Sequence, residues 1–157
     1  MGTNVYIGAG VIVGSRCKIQ NGAQIFEGST LGDGVFVGPG AILTNDRIPR
    51  AITPDGHLKR SSDWDLSAVT VDDGVSIGAG AIVVCGCRLG AWSVVGAGAV
   101  VTRSLGPFEL VVGVPARRLG WMCRCGSRIE PPCSCPTCRR PYGFDGNAVI
   151  DMDKPTH

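Results

Sequence analysis

Aliphatic residues recur at every sixth position of this chain. Ile7, Val13, Ile19, Ile25, Leu31, Val37 and Leu43 keep that spacing, and Val71, Ile77, Val83, Leu89, Val95 and Val101 resume it. A period of six fits neither the 3.6-residue helix nor the alternation of a simple amphipathic strand. It fits a chain that turns a corner every six residues. Two positions ahead of the beat stand smaller residues: Val5, Val11, Cys17, Ala23, Ser29, Val35 and Ala41, then Val75, Ala81, Cys87, Ser93 and Ala99. Residues two apart in an extended stretch point the same way. Each hexapeptide therefore turns one aliphatic and one small side chain inward, and the residue between them outward. Glycine, at 24 residues, fills the corners, where positive φ or close backbone approach is required. Three corners close a coil of 18 residues, and coils stack about 4.8 Å apart with parallel pairing. The expected architecture is all-β, a parallel β-helix whose buried Ile, Leu and Val each contribute about 1.5–3 kcal/mol.

Outward positions carry apolar residues too. Ile82 and Val100 are expected to stack on one outer face, and Tyr6 and Ile42 on another. Such faces predict packing against a second copy, most simply as a homotrimer with parallel axes. A net charge of +2 is too small a surplus to point to nucleic acid. No apolar run approaches the roughly 18 residues of a membrane span, and no basic-then-apolar leader opens the chain. The expected location is cytoplasmic, where the eight cysteines stay reduced.

The beat stops at residues 44–70, which hold Asn45, Asp46, Arg47, Arg50, His57, Lys59, Arg60, Asp63, Trp64 and Asp65. A loop of this length beside a rigid scaffold is the arrangement expected of a site. The tail carries a second unusual pattern, "CRCGSRIEPPCSCPTCRRPY". Cys123 and Cys125, then Cys135 and Cys138, have the pair-and-pair spacing of a structural four-thiolate zinc site, with Cys133 a competitor for Cys135. A segment this small needs its metal to fold, and comparable peptides gain about 10–16 kcal/mol from it. The expected layout is a β-helix over 1–106 interrupted by the loop 44–70, a connecting segment 107–120, a zinc-ribbon-like segment 121–143 and a tail 144–157.

The stretches "KIQNGAQIFEG", "VFVGPGAILTNDRIPRA", "VSIGAGAIVVCGCRLG", "SVVGAGAVVTRSL" and "LVVGVPARRLGWMCRCG" resemble the hexapeptide-repeat acetyltransferases, most of all those that acetylate nucleotide-linked amino sugars for bacterial surface polysaccharide and O-antigen synthesis. The resemblance spans residues 4 to about 142, and "TND" with the following "PR" is its specific part. It implies a left-handed coil, acetyl-CoA as co-substrate, and attack of a sugar amine on the thioester. Asn45 would hold the amine lone pair toward the thioester, Asp46 would hold the loop or take the proton, and Glu27 in "IFEG" would be a site carboxylate. The pantetheine arm would pass Gly78-Ala79-Gly80 and Gly96-Ala97-Gly98, whose backbone amides face outward, and Arg103, Arg117 and Arg118 would meet its phosphates. Relatives acting on hydroxyls use a histidine base, for which His57 is the internal candidate. Asn21 reads as structural, tolerating a left-handed corner. Two departures stand out. Further coils usually precede "NVYIGAG", so the chain reads as shortened at its start or altered in acceptor, and Val114 replaces a usual Asn. The competing expectations are an acetyltransferase for a different small acceptor and a silent scaffold with a zinc-binding tail.

Overall fold

The computed structural model describes residues 1–130, 134–146 and 148–153. Its body is a three-faced parallel β-solenoid, consistent with the left-handed β-helix. The first face stacks β1 (Tyr6–Ile7), β4 (Gln24–Ile25), β7 (Ile42–Leu43), β10 (Ile82–Val83) and β13 (Val100–Val101). The second stacks β2 (Ile12–Val13), β5 (Thr30–Leu31), β8 (Thr70–Val71) and β11 (Arg88–Leu89). The third stacks β3 (Lys18–Ile19), β6 (Phe36–Val37), β9 (Ser76–Ile77), β12 (Val94–Val95) and β14 (Glu109–Val112). Each strand is short because a corner follows it, and the three corners take the numbers of the faces they end.

The interior follows the six-residue rule. Ile25, Val37, Leu43, Ile77, Val83, Leu89 and Val101 are fully buried, as are the small residues Ala23, Ala41, Val75, Ala81 and Ala99. In the first coil Val5, Ile7, Val11 and Cys17 are only partly covered, since that coil has a neighbour on one side. Asn21 is structural for a reason other than the expected one. Its Oδ1 accepts the Thr3 amide at 2.8 Å, while the left-handed φ falls on Gly22. The same device recurs at the second corner, where Asp33 Oδ1 accepts the Ser15 amide at 2.7 Å and Asp73 Oδ1 the Asp33 amide at 2.8 Å.

The inserted length is shorter than the span 44–70 over which the beat is lost. Stacked partners are 18 apart above and below it but 40 apart across it, as in Ile42 over Ile82, so 22 residues are inserted. The coil resumes at Val69, which is fully buried and whose carbonyl accepts the Thr30 amide at 3.0 Å. That offset changes the outer faces. Tyr6, Ile42, Ile82 and Val100 do not divide between two faces; they share the first.

The C-terminal part departs from the expected boundaries. β14, within the expected connecting segment, pairs parallel with β12 and so adds one more rung. β15 (Arg117–Met122) then folds back antiparallel on β14, and β16 (Arg128–Ile129) on β15. Residues 144–157 were expected as a tail, yet β17 (Tyr142–Asp145) and β18 (Ala148–Asp151) form a hairpin. Val149 enters a second core with Phe108, Cys123, Ile129, Cys135 and Tyr142, and Asp151 accepts Arg124 at 2.8 Å and Arg140 at 3.5 Å. Among the described residues no helix is long and apolar enough to cross a membrane.

The Ser29 and Ser93 hydroxyls lie inside the prism with no protein partner. A buried hydroxyl without a hydrogen bond is a cost, so Ser93→Ala should leave stability unchanged or raise it by about 1 kcal/mol. Ile77→Ala, which opens a cavity in the same interior, should lower it by about 2–5 kcal/mol. Equilibrium denaturation of the two variants checks both.

Candidate active site

Glu27 and Asn45 lie at the first corner of consecutive coils, two residues beyond the stacked pair Ile25 and Leu43. Cys85 and Arg103 continue the same column, two beyond Val83 and Val101. The chain leaves the prism here because Thr44 still pairs with the coil beneath. Its amide donates to Val83 O at 3.0 Å, and its hydroxyl accepts the Cys85 amide at 2.9 Å. The next residues have no rung to join. Asn45 O accepts the Ser67 amide at 2.9 Å, which closes the base of the insertion. Asn45 and Asp46 are half-buried there, and Glu27 is half-buried beneath the first coil's Gly8.

Asp46 Oδ1 accepts the Ile48 amide at 2.8 Å, so one carboxylate oxygen shapes the turn that launches the loop. Further out, Ile52 and Leu58 bridge an antiparallel hairpin, and Asp63 Oδ2 accepts the Arg60 amide at 2.7 Å. The loop folds back over the corner. A Cβ on Gly86 would lie 2.7 Å from Arg47 Nη2 and 2.9 Å from Ser67 Oγ, so the glycine leaves room for the end of the Arg47 side chain there. Trp64, Arg47, Lys59, Asp63 and Leu66 line a hollow of about 430 Å³ beside Asp46. His57 lies exposed in the hairpin turn and lines a separate hollow with Thr53, Asp55 and Asp63.

Gly78-Ala79-Gly80 and Gly96-Ala97-Gly98 stack on the third corner, a different edge of the same prism. A Cβ on Gly78 would collide with the Ala97 amide nitrogen, which explains the glycine at that approach. Ala79, Gly80, Ala97 and Gly98 are exposed. At other corners an Asn or Asp one coil further caps the middle amide. Below Ala79 and Ala97 stand Ala97 and Gly113, which have no side-chain acceptor, so these two amides lack that cap.

The three arginines differ in their engagement. Arg103 forks onto the buried Glu109, with Nη2–Oε1 at 3.0 Å and Nη1–Oε2 at 3.3 Å, and that bond holds its guanidinium charged. Arg118 reaches the same carboxylate at 3.9 Å and stacks on Trp121 at 4.8 Å. Arg117 is exposed, with Nη1 3.4 Å from the Ala116 carbonyl.

The repeat is matched by the profile described as "Hexapeptide repeat of succinyl-transferase", over residues 1–27 and 68–103, on either side of the insertion. A "Putative acetyltransferase" of Schizosaccharomyces pombe is 35% identical over 117 residues, covering 74% of this chain and 52% of its own. The dTDP-3-amino-3,6-dideoxy-α-D-galactopyranose 3-N-acetyltransferase of Aneurinibacillus thermoaerophilus is 43% identical over 60 residues, 38% of this chain and 31% of its own. Among solved structures, the GDP-perosamine N-acetyltransferase of Caulobacter crescentus, in complex with CoA and GDP-perosamine, aligns at a TM-score of 0.59 and 29% identity, over 75% of this chain and 46% of that one. The chain carries the hexapeptide repeat and is similar to acetyltransferases built on it. It spans about half the length of the first of these curated relatives and less of the others.

Beyond the repeat, the structure brings four thiols together. The sulphurs of Cys123, Cys125, Cys135 and Cys138 all lie within 4.8 Å of one another, with Cys123–Cys138 at 3.4 Å and Cys125–Cys135 at 3.5 Å. Four sulphurs at zinc-bond length from one centre stand about 3.8 Å apart, so the set fits a tetrahedral ion. Cys133 lies outside the described residues. Burial pushes the Cys123 thiol up, whereas hydrogen bonds with Ser127 hold Cys125 down. A bound dication would remove that split by favouring thiolate at all four positions. Tyr142 donates its hydroxyl to Cys123 Sγ at 3.2 Å and accepts the Arg124 amide at 3.2 Å. Sequence reasoning gave no role to Arg47, Glu109 or Tyr142: Arg47 meets Gly86 and Tyr142 meets Cys123 across long separations, and Glu109 meets Arg103 only because the chain turns between them.

Gly86→Ala should push Arg47 off the corner and strain a φ of +76°. The expected loss is about 1–2 kcal/mol of stability, with faster proteolytic cleavage between residues 46 and 66. Thermal melts and timed digestion read the two effects.

Proposed function

We propose that the chain is an acetyl-CoA-dependent acetyltransferase acting on the amine of a nucleotide-linked amino sugar, a cytoplasmic step of surface-polysaccharide synthesis. The observation that carries this reading is the first-corner column, where the Asn45 amide and the Glu27 carboxylate stack at the point where the insertion leaves the prism. The amino-sugar specificity of the dTDP- and GDP-sugar relatives supports the choice of acceptor.

The chemistry needs little from the protein beyond placement. A sugar amine is a weaker base than lysine, so a good part of it is neutral near pH 7. Asn45 accepts a hydrogen bond from the amine and aims its lone pair at the thioester carbon, a positioning contribution. The amine nitrogen bonds to that carbon, and the oxyanion formed is stabilised by the uncapped Ala79 and Ala97 amides. The C–S bond then breaks, and the amine proton passes to the departing thiolate. Asp46, one oxygen already committed to Ile48, holds the turn and offers the other oxygen as a relay. Glu27 orients the sugar.

Asn45 and Ala79 belong to one coil but stand at two of its corners, so no single copy joins them. Apolar Tyr6, Ile42, Ile82 and Val100 stand on the face between those corners, with Gln24 between the first two. Burying it against a second copy about an axis parallel to the solenoid sets one copy's first corner beside its neighbour's third, at equal height. A homotrimer meets that requirement. The four cysteines hold a structural zinc ion, since four thiolates leave no open position for catalysis.

Thiol release from acetyl-CoA across a panel of UDP-, dTDP- and GDP-linked amino sugars tests the reaction. Asn45→Ala should lower turnover by about 10²-fold, and His57→Ala by less than about threefold. Large, equal losses in both would replace this mechanism with a histidine base. Elemental analysis should give one zinc per chain, and less than about half an equivalent would remove the metal from the account.

A further inference from the structure

We propose that the four-thiol centre sets the affinity for the coenzyme's phosphates by fixing the strand that carries Arg117 and Arg118. The inference rests on the acetyl-CoA and zinc readings above.

β15 links the two places directly. Its first residue, Arg117, follows Ala116, whose amide donates to Val100 O at 2.8 Å beside the third corner. Its last, Met122, precedes Cys123, the first thiol. Between them the ladder with β14 slips. Leu110 pairs with Gly120 and Val111 with Arg118, so Leu119 is an extra residue bulged out of the strand. A bulge bends a strand and re-aims its neighbours, and here those neighbours are the two arginines.

The bulge is held from the metal loop. Arg128 Nη2 donates to the Leu119 carbonyl at 2.6 Å, and the same guanidinium packs across Gly120. Arg128 lies on β16, inside the segment that the thiol pairs Cys123/Cys125 and Cys135/Cys138 close. That segment's core is small. Of its six buried members, Cys123 and Cys135 are themselves thiol donors and Tyr142 is bonded to one. A core of this size does not hold its own loops in place without a cross-link or metal. Loss of the ion should therefore free β16, then Arg128, then the bulge, leaving the coils beneath intact.

The test uses the full chain and two ligands, acetyl-CoA and S-acetylpantetheine, which has the same thioester arm but lacks the nucleotide and its phosphates. Binding is measured by calorimetry before and after zinc is withdrawn with a chelator. Withdrawal should weaken acetyl-CoA by about tenfold, the scale of a lost charge-assisted contact, and leave S-acetylpantetheine nearly unchanged. Arg128→Met, which keeps all four thiols, should retain one zinc per chain and show the same selective loss. Equal affinities with and without zinc, equal weakening of both ligands, or an Arg128→Met variant that binds acetyl-CoA like the parent would each overturn the proposal. So would collapse of the β circular-dichroism signal on chelation, because the ion would then hold the whole fold. A zinc-loaded chain that binds no acetyl-CoA defeats the transferase reading itself, and a chain that binds no zinc defeats the metal reading.

Discussion

Parallel stacking of identical short rungs is the constraint on which the rest depends. A strand of two residues has almost no stability alone. It persists because its amides and carbonyls join those of the coils above and below, and because its inward side chain lands on an aliphatic ladder. Both conditions demand the same register in every coil. Any residue that must leave that register has to leave the prism altogether, and the 22-residue insertion does so at one corner between Thr44 and Val69. The proposed chemistry sits there for the same reason. A corner is the place where a side chain can point outward without breaking a rung.

The corners also explain how one scaffold supports separate tasks. Where Asn or Asp caps the amide of the preceding coil, as at Asn21, Asp33 and Asp73, the corner is sealed. Where Ala97 and Gly113 stand in that capping place, the amides of Ala79 and Ala97 above them lack a cap. A change of side chain at one repeated position thus turns a capped corner into an uncapped one, with no change in the backbone path.

The C-terminal part follows a different logic. Its six-residue core combines two thiols with Phe108 from the last coil, and Tyr142 ties one thiol to that ring, with the two ring centres 5.3 Å apart. Arg124 adds a second attachment by stacking 4.9 Å from Trp92 and pairing with Asp151. The end of the solenoid is covered by a unit whose packed core includes two of the four clustered thiols.

The sequence alone determined the repeat, the inward and outward assignment of nearly every residue in it, the place of the interruption and the four thiols, because each is a pattern of residue types at fixed spacing. It also pointed to Glu27 and Asn45, through residues that resemble a family motif. Only the tertiary structure decided which residues stack across the insertion, since partners 40 apart break the 18-residue count and show only once the rungs are paired. That offset put Ile42 over Ile82 and gathered Tyr6, Ile42, Ile82 and Val100 on one face. It also showed that Arg103 is committed to Glu109 and that residues 148–151 form a strand within a packed hairpin. Those outcomes rest on how the turns of the chain bring side chains and rungs together, and a pattern of residue types carries no record of that geometry.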